Sequence, residues 1–390
     1  MLGLPVACQS LWRVEVAGIT HRDRVLAALK HEEGNRVPIA FGGPECSIHR
    51  EAHGRLLRYL GYEGGQDAPI IDSILQIVEP DMRLVERFDA DLLWLVPREG
   101  PVQWAVDGES YVDELGRRFR AGGGFFNQVD SPLREGTMDE LGRYAFPDMF
   151  AHDRATGIAE KARLLHEQGY ALAADGAWGI YEVSSSLRGT TELFIDLALN
   201  LDYAEALADR VLEEHIMPFY SMLLAAAGPY VQMVVVSDDL GNQENLLFSP
   251  DVFRRVYKPR LRRLVEHIKS LVDAKVYIHS DGAVSRLIPD FIEVGIDGLN
   301  PVQYTARGME AERLKREYGR DLGFLGSGIE NEVLSFGTEQ DVRERVGRQV
   351  AALKPGGGYL FATIHNISPE VPPENIVAFF EAGREFGRYG

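Results

Sequence analysis

Eight short apolar runs divide the chain, at 36–43, 89–97, 170–178, 233–241, 275–282, 295–303, 321–329 and 358–367, and each ends in polar or glycine residues. Their hydrophobicity is continuous rather than alternating, which is what strands buried on both faces of a parallel sheet show. Helical patterns lie between them. Ser249-Pro250 opens one as a cap followed by a first-turn proline. Val252, Phe253, Val256 and Tyr257 continue it, and Pro259 is expected to kink or divide it. Thr338 with Asp341 reads as a capping box, and Val342, Val346, Val350 and Leu353 form the stripe of the helix that follows. The glycines at 356–358 end that unit, and the last helix follows Pro372-Pro373. This βα alternation predicts an α/β fold, a (β/α)8 TIM barrel, with an open doubly wound sheet as the alternative. Residues 111–148 break the rhythm and suggest an inserted hairpin, with turns near 113–116 and 122–124. The expected organisation is an N-terminal arm over 1–18 and one barrel over 19–390.

Length fits that reading, because 390 residues is ordinary for a barrel with insertions. Two cysteines, Cys8 and Cys46, give neither a disulfide framework nor a CxxC metal pattern, so a reducing cytoplasm is expected. The net charge of −18, without basic clusters, argues against a nucleic-acid partner. No apolar run approaches a membrane span, and residues 1–18 lack the basic-then-apolar layout of a signal peptide.

In a barrel the chemistry sits at the C-terminal ends of the strands. The fourth run delivers Asp238, Asp239, Asn242 and Gln243 there, the fifth His279 and Asp281, and the sixth Asn300 and Gln303. The last two deliver Glu330, Asn331, His365 and Asn366, while Tyr181, Glu182 and Arg188 follow the third. In His279-Ser280-Asp281, positions i and i+2 share one face. With His365 they offer two imidazoles and a carboxylate, a set suited to zinc or iron. The plainer alternative is hydrogen bonding within the loop. Asp238 and Asp239 suit substrate or metal work, or capping of a helix. Trp178 and Tyr181 read as wall residues, and Arg188 as a surface salt bridge rather than a carboxylate clamp.

Segments 19–43, 237–259, 275–303 and 356–376 together resemble the uroporphyrinogen decarboxylase superfamily, over nearly the whole chain from Thr20. The resemblance implies a (β/α)8 barrel. True decarboxylases of that family carry an Arg-Gln-Ala-Gly-Arg segment after the first strand, and the matching stretch here is Gly42-Gly43-Pro44-Glu45-Cys46. They also carry an Asp in Phe-Ser-Asp-Ile-Leu, and the nearest stretch here, Ala90 to Val96 with Asp91, does not match. The corrinoid-linked methyltransferases of the superfamily hold zinc by His-x-Cys and a later Cys. His279 matches that histidine, Asp281 falls on the first cysteine and His365 on the second. His365 also matches a histidine of the decarboxylases.

The resemblance therefore implies a methyltransferase-like enzyme, closer to the corrinoid-linked branch. It would move a methyl group between a corrinoid, presented by a partner protein, and a small acceptor such as a thiol or folate. Zinc, or iron, would be held by His279, Asp281 and His365. Asp238 or Asp239 would orient substrate, with Tyr181, Gln243, Asn300, Gln303, Glu330 and Asn366 lining it. Two alternatives stay open. One is a decarboxylase or other lyase acting on a small or aromatic acid, with His365 and Asp238 or Asp239 handling the proton. The other is a non-catalytic tetrapyrrole or corrinoid binder, ranked last because a pure binding pocket is usually more apolar. The oligomeric state is open, a homodimer included.

Overall fold

The computed structural model describes residues 18–65, 67–106, 108–176 and 178–390, so all of the expected N-terminal arm except Gly18 lies outside the described residues. Each of the eight apolar runs contains a barrel strand. They are β1 (residues 39–40), β2 (Leu92–Leu95), β3 (Ala171–Ala174), β4 (Met233–Ser237), β5 (Lys275–His279), β6 (Gly298–Asn300), β7 (Gly323–Leu325) and β8 (Tyr359–Leu360). Strands β2 to β8 form one parallel sheet in chain order. The short β1 closes it, because Ile39 pairs in parallel with Phe361 at the end of β8 and Ala40 pairs with Leu92 of β2. The Ala40 N–H donates to the Phe361 carbonyl at 2.8 Å, and the Leu92 N–H to that of Ile39 at 3.1 Å.

Strand periodicity divides the core in two. Leu92, Trp94, Ala171, Ala173, Met233, Val235, Tyr277, Leu325 and Leu360 point inward and form one buried cluster. The alternate residues, among them Leu93, Leu172, Val234, Val236, Val276, Ile278, Leu299 and Phe324, pack outward against the helices. Small interior residues make room for Trp94 and Tyr277. At Gly298 an added Cβ would fall 2.2 Å from the Tyr277 ring, so only glycine fits there.

The helix signals act as the residues require. The Ser249 hydroxyl accepts from the Val252 N–H at 3.2 Å. The division expected at Pro259 takes the form of a change of pitch: a π-helical turn, Phe253–Tyr257, leads into the α-helix Lys258–Leu271, whose first turn holds the proline. The missing proline N–H is tolerated there. Thr338 and Asp341 form the reciprocal capping box of helix Glu339–Leu353, and Val342, Val346, Val350 and Leu353 are buried.

The insertion differs from a single hairpin. It is a four-stranded antiparallel meander, Gln103–Trp104, Ser110–Val112, Arg118–Gly122 and Phe125–Asp130. It begins before residue 111 and ends well short of 148. Its first strand is two exposed residues long, too short to leave a periodic signal. Gly116, Gly123 and Gly124 adopt positive φ at the two expected turns. At the opposite end of the barrel, Asp91 is fully buried at the foot of β2. It accepts from Arg36 at 2.5 Å, Arg24 at 3.0 Å and the Ile39 N–H at 2.8 Å. That ion cluster ties β1 to β2 far from the mouth, a stabilising position in this architecture. Among the described residues no helix is long and apolar enough to cross a membrane.

Packing around Tyr277 makes a test. Gly298→Ala should cost about 1–3 kcal/mol in urea unfolding. Gly142→Ala, in helix Met138–Arg143 with open space at its Cβ, should change stability by less than about 1 kcal/mol, toward greater stability.

Candidate functional site

The inward phase of the strands sets the site. Two residues beyond Tyr277, His279 ends β5 inside the barrel mouth and lies in register with Asn300 of β6. The Asn300 amide N–H donates to the Leu325 carbonyl at 3.1 Å, which turns its Oδ1 toward His279. That oxygen lies 2.6 Å from His279 Nδ1. Nδ1 is therefore a donating nitrogen, which leaves Nε2 as the one a metal would take on losing its proton. The loop after β5 carries Asp281, whose N–H donates to Asp239 Oδ1 at 2.8 Å. The next N–H, of Gly282, donates to Gln303 Oε1 at 2.6 Å. Gly282 adopts φ +87°, and a Cβ there would fall 2.5 Å from the Gly241 backbone, so the loop can close this tightly only with glycine.

His365, past the end of β8, completes the group, with its ring centroid 5.9 Å from that of His279. One ligand atom each of His279, Asp281 and His365 lie within 4.8 Å of one another. Asp281 Oδ1 is buried without a hydrogen-bond partner among the described residues. Two imidazole nitrogens and a carboxylate oxygen, one of them with an unmet need, fit a divalent cation such as zinc or iron. The acids around the trio favour positive charge there, which a proton on His279 supplies and a metal would have to displace. Burial opposes charge on His279, but Glu45, Asp281 and Asp239 outweigh it and hold its pKa up at about 9. Burial raises the Asp281 carboxyl against the pull of His279 and His365.

The other sequence candidates separate. Asp239 lies beside the trio, 3.8 Å from His279 Nε2. Asp238 turns away: its oxygens accept from the Tyr181 and Glu182 N–H groups at 3.1 and 3.0 Å, at the start of helix Ile180–Arg188. Burial pushes its pKa up to about 7 against those bonds. Gln303 anchors the Asp281 loop. Asn366 accepts from the Ser47 N–H at 2.8 Å and donates to the Pro44 carbonyl, strapping the loop after β1. Tyr181 packs against Phe248 and Tyr257 beneath a neighbouring cleft shared with Asp239. Gln243 is exposed, and its carbonyl accepts from the Arg307 N–H. Glu330 is engaged by Tyr304 and by Arg345 at 2.7 Å, outside the cavity that holds the histidines. Arg188 pairs with Asp196 at 2.8 Å, a salt bridge as expected but largely buried rather than at the surface, and it also donates to the Leu133 and Gly136 carbonyls.

That cavity, of about 400 Å³, opens at the mouth between the trio and the meander. Its wall includes Glu182, which follows the third run, and two acids not named as site candidates, Glu45 and Asp175. Glu45 accepts from Ser237 Oγ at 2.8 Å. Asp175 is fully buried, and burial together with Glu45 raises its carboxyl well above the usual range. Burial does the same to Glu182, with Asp239 and Asp238 adding to the effect. Asp175 had a signal, since it continues the inward phase of Ala171 and Ala173. Glu45 had only the family resemblance, in which its stretch stands in place of the arginine-bearing segment.

Comparison with known proteins bears on this geometry. The uroporphyrinogen decarboxylase (URO-D) family model matches residues 113–386. A curated relative, the methylcobamide:CoM methyltransferase MtaA of Methanosarcina barkeri, is 22% identical over 167 residues. That match covers 43% of this chain and 45% of the relative, so it spans less than half the length of either protein. A solved structure, described as a methyltransferase from Methanosarcina mazei, superposes with a TM-score of 0.67 at 20% identity. It covers 95% of this chain and 99% of that one, and at this identity it shows the shared barrel.

The buried state of Asp238 sets a pH dependence. Its folded pKa lies above the unfolded value of 3.8, so the folded state holds the proton more tightly. The stability this contributes is complete below about pH 3.8 and is lost as the pH rises toward 7. Between pH 4 and pH 7.5, wild-type protein should lose more unfolding free energy than Asp238→Asn, by up to about 4 kcal/mol. Urea titrations of both proteins at the two pH values measure the difference.

Proposed function

This chain belongs to the uroporphyrinogen decarboxylase family, and from that premise we propose that it moves a methyl group between a corrinoid, carried by a partner protein, and a small molecule, at a zinc site formed by His279, Asp281 and His365. The observation that carries this reading is the converged trio with its unsatisfied Asp281 oxygen. The likeness to a protein named as a methylcobamide:CoM methyltransferase supports the reaction class. Zinc with nitrogen and oxygen ligands would supply Lewis acidity, lowering the pKa of the heteroatom that gives or receives the methyl group. Iron would suit the same donors.

The chain's own residues do the rest. Asn300 holds His279 in the tautomer that leaves Nε2 available. Asp239 and Gln303 fix the backbone on either side of Asp281 and so aim its carboxylate. Asn366 holds the loop that carries Glu45 against the mouth. The lyase reading would need Asp239 beside His365 for its proton, since the oxygens of Asp238 already serve a helix terminus.

Protein purified with zinc supplied should carry about one zinc per chain by elemental mass spectrometry, lost in both His279→Ala and His365→Ala. Asn300→Ala should keep the fold but weaken zinc by about 10- to 100-fold in chelator competition. Methylcobalamin demethylation by a candidate acceptor should fall with the zinc. A folded, metal-free His279→Ala protein that still demethylates methylcobalamin would refute the reading.

A further inference from the structure

The charge balance of the cavity says what it takes in. Two of its three arginines, Arg117 and Arg154, are already paired with Asp113 and Glu114. That leaves six carboxyl groups in the wall, Glu45, Asp72, Glu99, Asp175, Glu182 and Asp239, facing Arg98. His215, also in the wall, adds no charge, because burial, with Arg117 and Arg154, depresses its pKa to about 3. Zinc at the trio would not restore balance. A dication is half offset by Asp281, so with Arg98 it brings two positive charges against six carboxyl groups.

A second observation points the same way. Asp175 is fully buried in this wall, its Oδ1 accepts from the Gly176 N–H at 2.5 Å, and its carboxyl has only the Trp94 indole N–H and the Glu45 carboxyl as further neighbours, with Oδ2 in no well-formed hydrogen bond. Between the acids the surface is apolar and aromatic, with Phe219, Met149, Leu115, Tyr111, which stacks on Phe119, and Trp178, over which Arg117 lies. Carboxylates interspersed with aromatic faces are the surroundings that hold a methylated ammonium, whose charge is spread over greasy methyl groups.

We propose that the cavity is a binding site for a methylated ammonium ion and that the small molecule of the reaction is a cationic methyl donor of that class. The proposal rests on the methyltransferase reading for the reaction, though not for the binding. Burial disfavours charge on three of these acids: Asp72 is pushed up to about 7, and Asp175 and Glu182 well above their usual range. An entering cation takes the place of the protons that burial favours on them. In the transfer, the C–N bond breaks with its electron pair left on nitrogen, and the carbon bonds to the reduced corrinoid cobalt, which supplies the new pair. The other product is an amine, which takes up a proton from an acid of the wall or from water and leaves as an ammonium ion.

Calorimetric titration of the zinc-loaded protein with choline, and with its uncharged carbon counterpart 3,3-dimethyl-1-butanol, tests this. Choline should bind at least about tenfold more tightly. Asp175→Asn and Asp72→Asn, each checked for folding by circular dichroism, should each cut that preference at least about threefold with zinc content unchanged. Equal affinity for the two probes, tighter binding of acetate than of choline, or an unchanged preference in a folded variant would overturn the proposal. Absence of a choline preference in protein that binds zinc and demethylates methylcobalamin sinks the cation site alone. A clear preference in protein with neither zinc nor turnover supports the cation site and sinks the methyltransferase reading.

Discussion

The hydrogen bond from His279 to Asn300, 2.6 Å long, links the fold to the chemistry proposed for it. It exists because β5 and β6 pair in parallel with these two residues in register, both on the inward face. That register depends in turn on close packing beneath it, where Tyr277 fills the barrel against Gly298. The same alternation that buries Tyr277 two residues earlier carries His279 to the mouth. A shift of one residue would send the imidazole into the helix layer. The remaining ligands then need only loops: one short step to Asp281, and the return of β8 to His365.

Around that point the mouth is built from acids with few cations to answer them. The guanidinium groups nearby are consumed in the meander, by Asp113 and Glu114, and the exposed Arg98 stands at the rim. Such a site is poor for the polycarboxylates that decarboxylases of this family bind, and the arginine-bearing segment of those enzymes is replaced here by the stretch containing Glu45. The family fold is kept while the charge of its mouth is reversed. Fold-level kinship therefore says less about substrate than the side chains do.

Most of the barrel was legible because buried parallel strands must be apolar on both faces, and eight runs met that demand. The trio was legible for a related reason: His279 and Asp281 at i and i+2 share a face, and His365 lies at the end of the last run. What the sequence did not reveal depends on tertiary partners. Gln243 and Glu330 lie just past strand ends, as site residues do, yet Tyr304 and Arg345 turn Glu330 outward. Asp238 looks identical to Asp239 in sequence, and only the arrival of a helix terminus from another part of the chain separates their roles. The first strand of the meander, Gln103–Trp104, is too short to show a period.

Zinc-edge X-ray absorption of the loaded protein tests the central claim most directly, because it reads the donor atoms themselves. The account predicts a first shell of nitrogen and oxygen at about 2.0–2.2 Å, with the outer-shell scattering of two imidazoles and no sulfur. A zinc–sulfur distance near 2.3 Å would contradict it. That result would move the metal toward Cys46, a buried thiol 3.7 Å from Asn300 Nδ2, and away from Asp281.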